Sequence, residues 1–425
     1  MTISNENQLL LYFVQKNITE GKYDQINKIL DLPMNWEEVL KSASWYRILP
    51  LLYHHLNRIR DIHGIPKDIM VKLKKIYLKN VTRNMYMYEE VNRISEVFND
   101  QGLEIIFLKG IALDKTVYGN IGLRPMSDID FLIKIDKLPR AEDIMLSKLG
   151  YVHSGNRPAA WYRENHQEIS YTSLSKKIHV DMHWHISNNT HPSRIRIIES
   201  DIIKKWWKSA KTFEPYGRNI FILSPEDLIS HLCLHFLKHL FISHNGGFSS
   251  KGAFMQICDI FQAIKFYENK INWLTFASTS EEYGINNNIY TALVIVNEFI
   301  GEDGRTTMRN VLNGFKSEKV DKEIVRIINS KILIREEELS IVPNPVIKAK
   351  IADSFYTKVK LLTGYLFPKP IIISKRYNIH LSSKKLYLYY LIHPLNLLFK
   401  YRGVIFETTR VKEDVILNRW MDTRN

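Results

Sequence analysis

Two aspartates stand two residues apart at the head of an apolar run, in RPMSDIDFLIK from Arg124 to Lys134. Asp is a poor strand former, so a pair of them where a strand favours Val and Ile calls for a reason. Period-2 geometry puts Asp128 and Asp130 on one face and Ile129 and Phe131 on the other. Like charges that close are unfavourable unless something neutralises them, and hard divalent cations take carboxylate oxygens. The alternative is a strand end with two solvated acids.

A third acid lies in KKIHVDMHWHI, Lys176 to Ile186. Alternation gives Ile178, Val180, Met182 and Trp184 to a packing face, and His179, Asp181, His183 and His185 to a polar one. An edge strand with a solvated polar face would read the same way. Taken with Asp128 and Asp130, however, Asp181 completes three carboxylates on one sheet face. That set suits a two-metal site for phosphoryl chemistry, with Mg²⁺ or Mn²⁺ bridging a triphosphate and the attacking hydroxyl. The third carboxylate holds the second metal or acts as general base. Just upstream, Gly110 in FLKG lets backbone N–H groups approach a phosphate. Lys109 supplies a point charge and Arg124 a bidentate contact; a solvated strand end is the alternative for Lys109.

The elements that must position these groups follow from periodicity. Residues 1–100 read as helices, with Asn35 as an N-cap followed by Glu38. Met87, Val91, Ile94 and Phe98 recur at helical spacing and Gly102 stops the run. The period then changes. LEIIFLKG (Leu103 to Gly110), SDIDFLIK, EISYTSL and KKIHVDMHWHI read as strands, GIALDKTVYG as a short helix, and Asp136 to Gly150 as a helix with Pro139 in its first turn. From Ser224, an N-cap with Pro225 at the first helical position, the chain is helical again. The division expected is residues 1–100 helical, 101–223 α/β, 224–340 helical, and 341–425 a basic, aromatic helical region. The fold class is α+β.

These residues resemble the DNA polymerase beta-like nucleotidyltransferase superfamily, and within it a largely uncharacterised bacterial nucleotidyltransferase family. The carriers are Leu108-Lys109-Gly110, then Arg124 with Ser127-Asp128-Ile129-Asp130, then Val180-Asp181-Met182-His183-Trp184. The helical lead-in, the histidine-bearing helix near residues 231–239 and Leu366-Phe367-Pro368 extend the likeness over most of the chain. Gly110 is followed by Ile111, where the broader superfamily has Ser or Gly. The resemblance implies a small nucleotidyltransferase α/β unit flanked by helical regions. It implies a transferase of nucleoside monophosphate from an NTP such as ATP, with Mg²⁺, to a hydroxyl or phosphate acceptor, releasing pyrophosphate. Asp128 and Asp130 would ligate metal, Asp181 would be third ligand or base, and Lys109, Gly110, Arg124 and Ser127 would bind the nucleotide. The acceptor (small molecule, peptide or RNA) is left open. The competing reading is a non-catalytic nucleotide-binding or RNA- or protein-binding regulatory module, including a toxin- or antitoxin-like role.

His231, His235 and His239 share one helix face. They read as lining the groove beside the α/β unit together with His183, with Asp227 and Asp259 as hydrogen-bond partners. A zinc site lacks an HExxH pattern or a cysteine pair. KKLYLYYLIHPLNLLFKYRG, Lys384 to Gly403, reads as an amphipathic helix packed on its neighbours, with a membrane surface or stacked bases as alternatives. The 425 residues carry a net charge of +14, which suits an anionic partner; from residue 341 on, 15 Lys/Arg face 5 Asp/Glu. Two cysteines, no signal-peptide pattern and no apolar run long enough to cross a bilayer point to a cytoplasmic protein.

Overall fold

The computed structural model describes residues 3–18, 20–59, 64–155, 157–174, 176–186, 201–214, 220–241, 248–315, 322–333, 355–377, 379–380, 382–405, 413 and 416–417. Two compact units emerge. One comprises Met1–Lys238 with Lys251–Val320, the other His239–Ser250 with Asp321–Asn425.

The first unit is a mixed sheet flanked by helices, the α+β class the sequence predicts. Its strands are β1 (Ile106–Phe107), β2 (Asp128–Leu132), β3 (Tyr151–His153), β4 (Glu168–Ser173), β5 (His179–His183), β6 (Lys211–Phe213) and β7 (Ile220–Ile222). They lie in the order β3-β4-β5-β2-β1-β7-β6. The pairs β2/β5 and β1/β7 are parallel; the other pairs are antiparallel. Alternation works as expected on β2 and β5. Ile129, Phe131, Val180 and Met182 are fully buried, and Phe131 packs edge-on against Phe98 of the helix Lys67–Asp100, ring centroids 5.4 Å apart.

Local chemistry sets the element ends. Asn35 Oδ1 accepts from the Glu38 amide and starts Trp36–Trp45. Ser224 Oγ caps Pro225–Leu240 by accepting from the Asp227 amide. Gly102 and Gly150, with φ of +65° and +66°, close their helices in the left-handed region that glycine tolerates. The expected 136–150 helix forms as a short 3₁₀ turn, an α-helix and a π-turn in succession, Ile135 through Lys148.

The long helix also carries a polar stripe that fixes the segment leading into β2. Tyr77 Oη donates to Asn120 Oδ1 at 2.9 Å, Asn80 to the Gly122 carbonyl at 2.9 Å, and Asn84 to the carbonyls of Ile121 and Arg124. Arg83 donates to the carbonyls of Met126 and Ser127, the two residues before Asp128. Buried carbonyls without partners are costly, so this helix face clamps the backbone that delivers the first aspartate.

Candidate functional site

The register of β2 and β5 brings the three predicted carboxylates together. Asp130 is the direct partner of Asp181, and Asp128 of His179. Neighbouring strands lie roughly 4.8 Å apart, so Asp130 and Asp181 stand side by side on one face, with Asp128 one pleat away along β2. On the next strand Ser170 is opposite Asp181 and Glu168 opposite His183. The polar face is therefore continuous across three strands.

Asp130 is the best-connected member. Lys109 Nζ donates to its Oδ1 at 2.7 Å, and His183 Nε2 approaches the same oxygen at 3.0 Å. The other nitrogen of His183 lies 3.1 Å from Glu168 Oε2, and Lys238 Nζ is 3.7 Å from that oxygen. Burial alone would raise the Asp130 carboxyl, but Lys109 and His183 reverse this and hold it well below the usual carboxylate range. Burial also opposes charge on His183. Its two carboxylate neighbours win and push it up to about 9, so the ring is an imidazolium. On Asp181 burial, then the adjacent Asp130 charge, outweigh His183 and the Ser170 hydrogen bond and push its carboxyl up to about 6. Ser127 Oγ donates to Asp128 Oδ1 at 2.9 Å.

Lys109 reaches Asp130 through an unusual backbone, φ +48° and ψ −114°. A non-glycine residue seldom adopts positive φ, and the strain is tolerated where the surroundings impose it. Gly110 follows because nothing larger fits: a Cβ there would stand 2.6 Å from Arg124 Nη1 and 3.1 Å from the Met126 side chain.

The sequence assigns Arg124 to phosphate. In the structure its guanidinium forks onto the buried Asp259, with Nε and Nη2 both within 3.1 Å of the carboxylate, and Tyr118 Oη adds a bond at 2.8 Å. Asp259 thus serves Arg124 and Tyr118, while Asp227 accepts from Ser224 and Ser209. His231 is buried, and its Nε2 has no hydrogen-bond partner among the described residues. Burial and the cations Lys109 and His183 hold it well below its ordinary value, as a neutral ring beside the cluster. His235 tilts against His231 at 5.9 Å, and His239 is exposed. Trp206 meets His231 edge-on and lines a cavity of about 400 Å³ with Ser209, Ser230, Thr279 and Tyr283.

Arg47 is the residue that sequence reasoning missed. It follows the Trp36–Trp45 helix at φ +62°. Burial, then repulsion from Arg124, lowers its pKa, while Asp128 and Asp259 favour its charge. Its guanidinium has no hydrogen-bond or ion-pair partner within 4 Å among the described residues. SWYRILP carries no signal for this, because Arg47 reads as one more polar residue of an amphipathic helix.

The donor set fits a hard cation. Asp128, Asp130 and Asp181 offer only oxygens, and a divalent ion there would offset both the burial of Asp181 and the adjacent Asp130 charge. Among the described residues no three His, Cys, Asp or Glu side chains stand as a ready metal cage. Mg²⁺ sites are commonly built from one or two carboxylates plus substrate phosphates.

A family model described as an uncharacterised nucleotidyltransferase matches residues 33–301, which include the whole sheet, Arg47 and Asp259. No curated protein and no solved structure matches the chain.

Proposed function

Because the chain belongs to this family of uncharacterised nucleotidyltransferases, we propose that it is an active enzyme of the polymerase beta-like kind, transferring a nucleoside monophosphate from an NTP to a hydroxyl or phosphate acceptor. The observation that carries the reading is the pairing of Asp130 with Asp181 across two parallel strands, with Asp128 on the same face.

Asp128 and Asp130, with Asp181, would hold Mg²⁺, which supplies charge neutralisation at the phosphates and polarises the phosphorus centre. The chain's own residues do the rest. Asp181, where it does not itself hold the ion, takes the proton of an acceptor hydroxyl. The acceptor oxygen bonds to the α-phosphorus, the bond from that phosphorus to the bridging oxygen breaks, and pyrophosphate leaves. Lys109, Ser127 and the unpaired Arg47 bind the phosphates. Arg124, fixed by Asp259, packs against Gly110 and shapes the turn. Glu168 and Lys238 orient His183, which in turn orients Asp130.

The test incubates the purified chain with each α-labelled NTP, Mg²⁺ or Mn²⁺ and a host extract, beside an Asp128→Asn/Asp130→Asn control. Label moved to a new species only by the intact protein supports the proposal. Metal-dependent NTP binding without transfer, across extracts that contain all acceptor classes, points instead to a nucleotide-sensing module.

A further inference from the structure

The second unit presents a surface that the transfer reaction does not use. Its last long helix, Lys385–Ile405, has an exposed apolar face as well as a buried one. Its polar side chains face its neighbours: Tyr390 Oη donates to the Pro368 carbonyl at 2.6 Å, and His393 lies 2.9 Å from Tyr377 Oη and 3.3 Å from an Arg376 nitrogen. Leu386 and Leu397 are buried on that side, and a second set of apolar side chains faces outward. Tyr387, Leu388, Leu391, Leu395 and Phe399 are 76%, 55%, 70%, 58% and 72% exposed. Their spacing of three to four residues makes one continuous helix face. The helix packs on its neighbours through Leu386, His393 and Leu397, as the sequence predicts, and the stripe is the face that this packing leaves exposed.

The charge around the stripe names its occupant. From Phe355 to Ile405 there are nine lysines and arginines and not one Asp or Glu. Lys360, Lys369, Arg376, Lys384 and Lys385 are exposed. We propose that this face lies flat on an anionic lipid surface, with the leucines and rings at the acyl boundary and the cations among the headgroups. An outward apolar stripe with basic flanks is the pattern of interfacial helices, and lysines near an anionic leaflet add attraction. No helix among the described residues is long and apolar enough to cross a membrane, so this one lies along the surface. Two other occupants fit less well. A second copy that met this face with its own would set the Phe355–Ile405 cations against each other, a stretch without an Asp or Glu to pair them. Single-stranded RNA stacks on rings and guanidinium planes, whereas the centre of this stripe is leucine. The stripe also lies outside residues 33–301, so it is additional to what the family match covers.

The experiment is vesicle flotation of the full-length chain. Phosphatidylcholine vesicles are compared with vesicles in which one lipid in four is phosphatidylglycerol. The chain is expected to float with the anionic vesicles, to be released by salt, and to stay behind with neutral ones. Leu391→Glu/Leu395→Glu should abolish flotation. Lys384→Gln/Lys385→Gln should weaken it by roughly thirtyfold. Both variants alter exposed side chains, so circular dichroism and melting should match the parent; Tyr387→Ser/Phe399→Ser is a second apolar variant should the first misfold. Flotation with neither vesicle, or a leucine variant that floats like the parent, overturns the proposal. So does concentration-dependent self-association, or binding of a uridine oligonucleotide, that the leucine variant loses while vesicles go unbound.

Discussion

Asp181→Asn should make the protein more stable while removing its activity. In the folded chain burial and Asp130 push the Asp181 carboxyl from its ordinary 3.8 up to about 6. Between those two values the folded state binds more protons than the unfolded state, so the Asp181 contribution to stability falls as pH rises through that window and stays low above it. At about 1.36 kcal/mol per pH unit, the cost of the ionised carboxylate comes to about 3 kcal/mol at pH 8. Asparagine keeps the shape, accepts the same Ser170 hydrogen bond and carries no charge. The relevant unit has about 300 residues, with an unfolding entropy of about 0.6 kcal/mol per kelvin, so the gain in melting temperature should be about 5 °C. The assay is thermal unfolding of parent and variant, in chelator, from pH 4 to pH 8. The gain should be full at pH 8 and vanish near pH 4, where the aspartate is protonated. A variant that melts lower at pH 8, or a difference that ignores pH, would refute the crowded-carboxylate picture of this face.

Two further substitutions separate binding from architecture. Arg47→Gln removes an unpartnered cation that Arg124 crowds; it should raise the KM for NTP about tenfold, the loss of one charge-assisted contact, with melting unchanged or slightly raised, as read by steady-state kinetics and calorimetry. Arg124→Lys keeps the charge but loses the fork onto buried Asp259. It should cost about 3 kcal/mol of stability in urea titration, and a neutral result would mean that the pair is not structural.

The sequence made the carboxylates legible because two independent alternations, 128–132 and 178–184, each sorted acid from apolar residues. It could not make their register legible. Nothing local dictates that β2 runs parallel to β5 with Asp130 opposite Asp181, since about fifty residues and two other strands separate them. The strands β3, β6 and β7 are three residues each, too short for alternation to register. The strand expected over 103–110 shrinks to Ile106–Phe107, because Lys109 turns to positive φ to reach Asp130. Asn80, Arg83 and Asn84 sat in plain view as polar residues inside a long helix. Their meaning lay in the backbone carbonyls of residues 121–127 opposite them, which a helical period cannot reveal.

Several groups that fold poorly by themselves adjoin the carboxylates of β2 and β5. Asp181 is ionised against its neighbour, His231 is buried with an unpaired nitrogen, and Arg47 is buried beside Arg124. Elsewhere in the same unit some buried charges have partners, Glu90 with Arg93, Lys176 and Tyr151 and Asp259 with Arg124 and Tyr118, while Asp114 Oδ1 and His55 Nδ1 do not. What sets the unpartnered groups of this face apart is that they adjoin the aspartates that strand register brings together, which marks a surface shaped for something the chain must bind. The two classes should therefore respond oppositely to substitution. Neutralising the paired residues should cost stability first, and neutralising the unpaired ones should cost activity first. A variant set in which both losses fell on the same residues would erase the distinction.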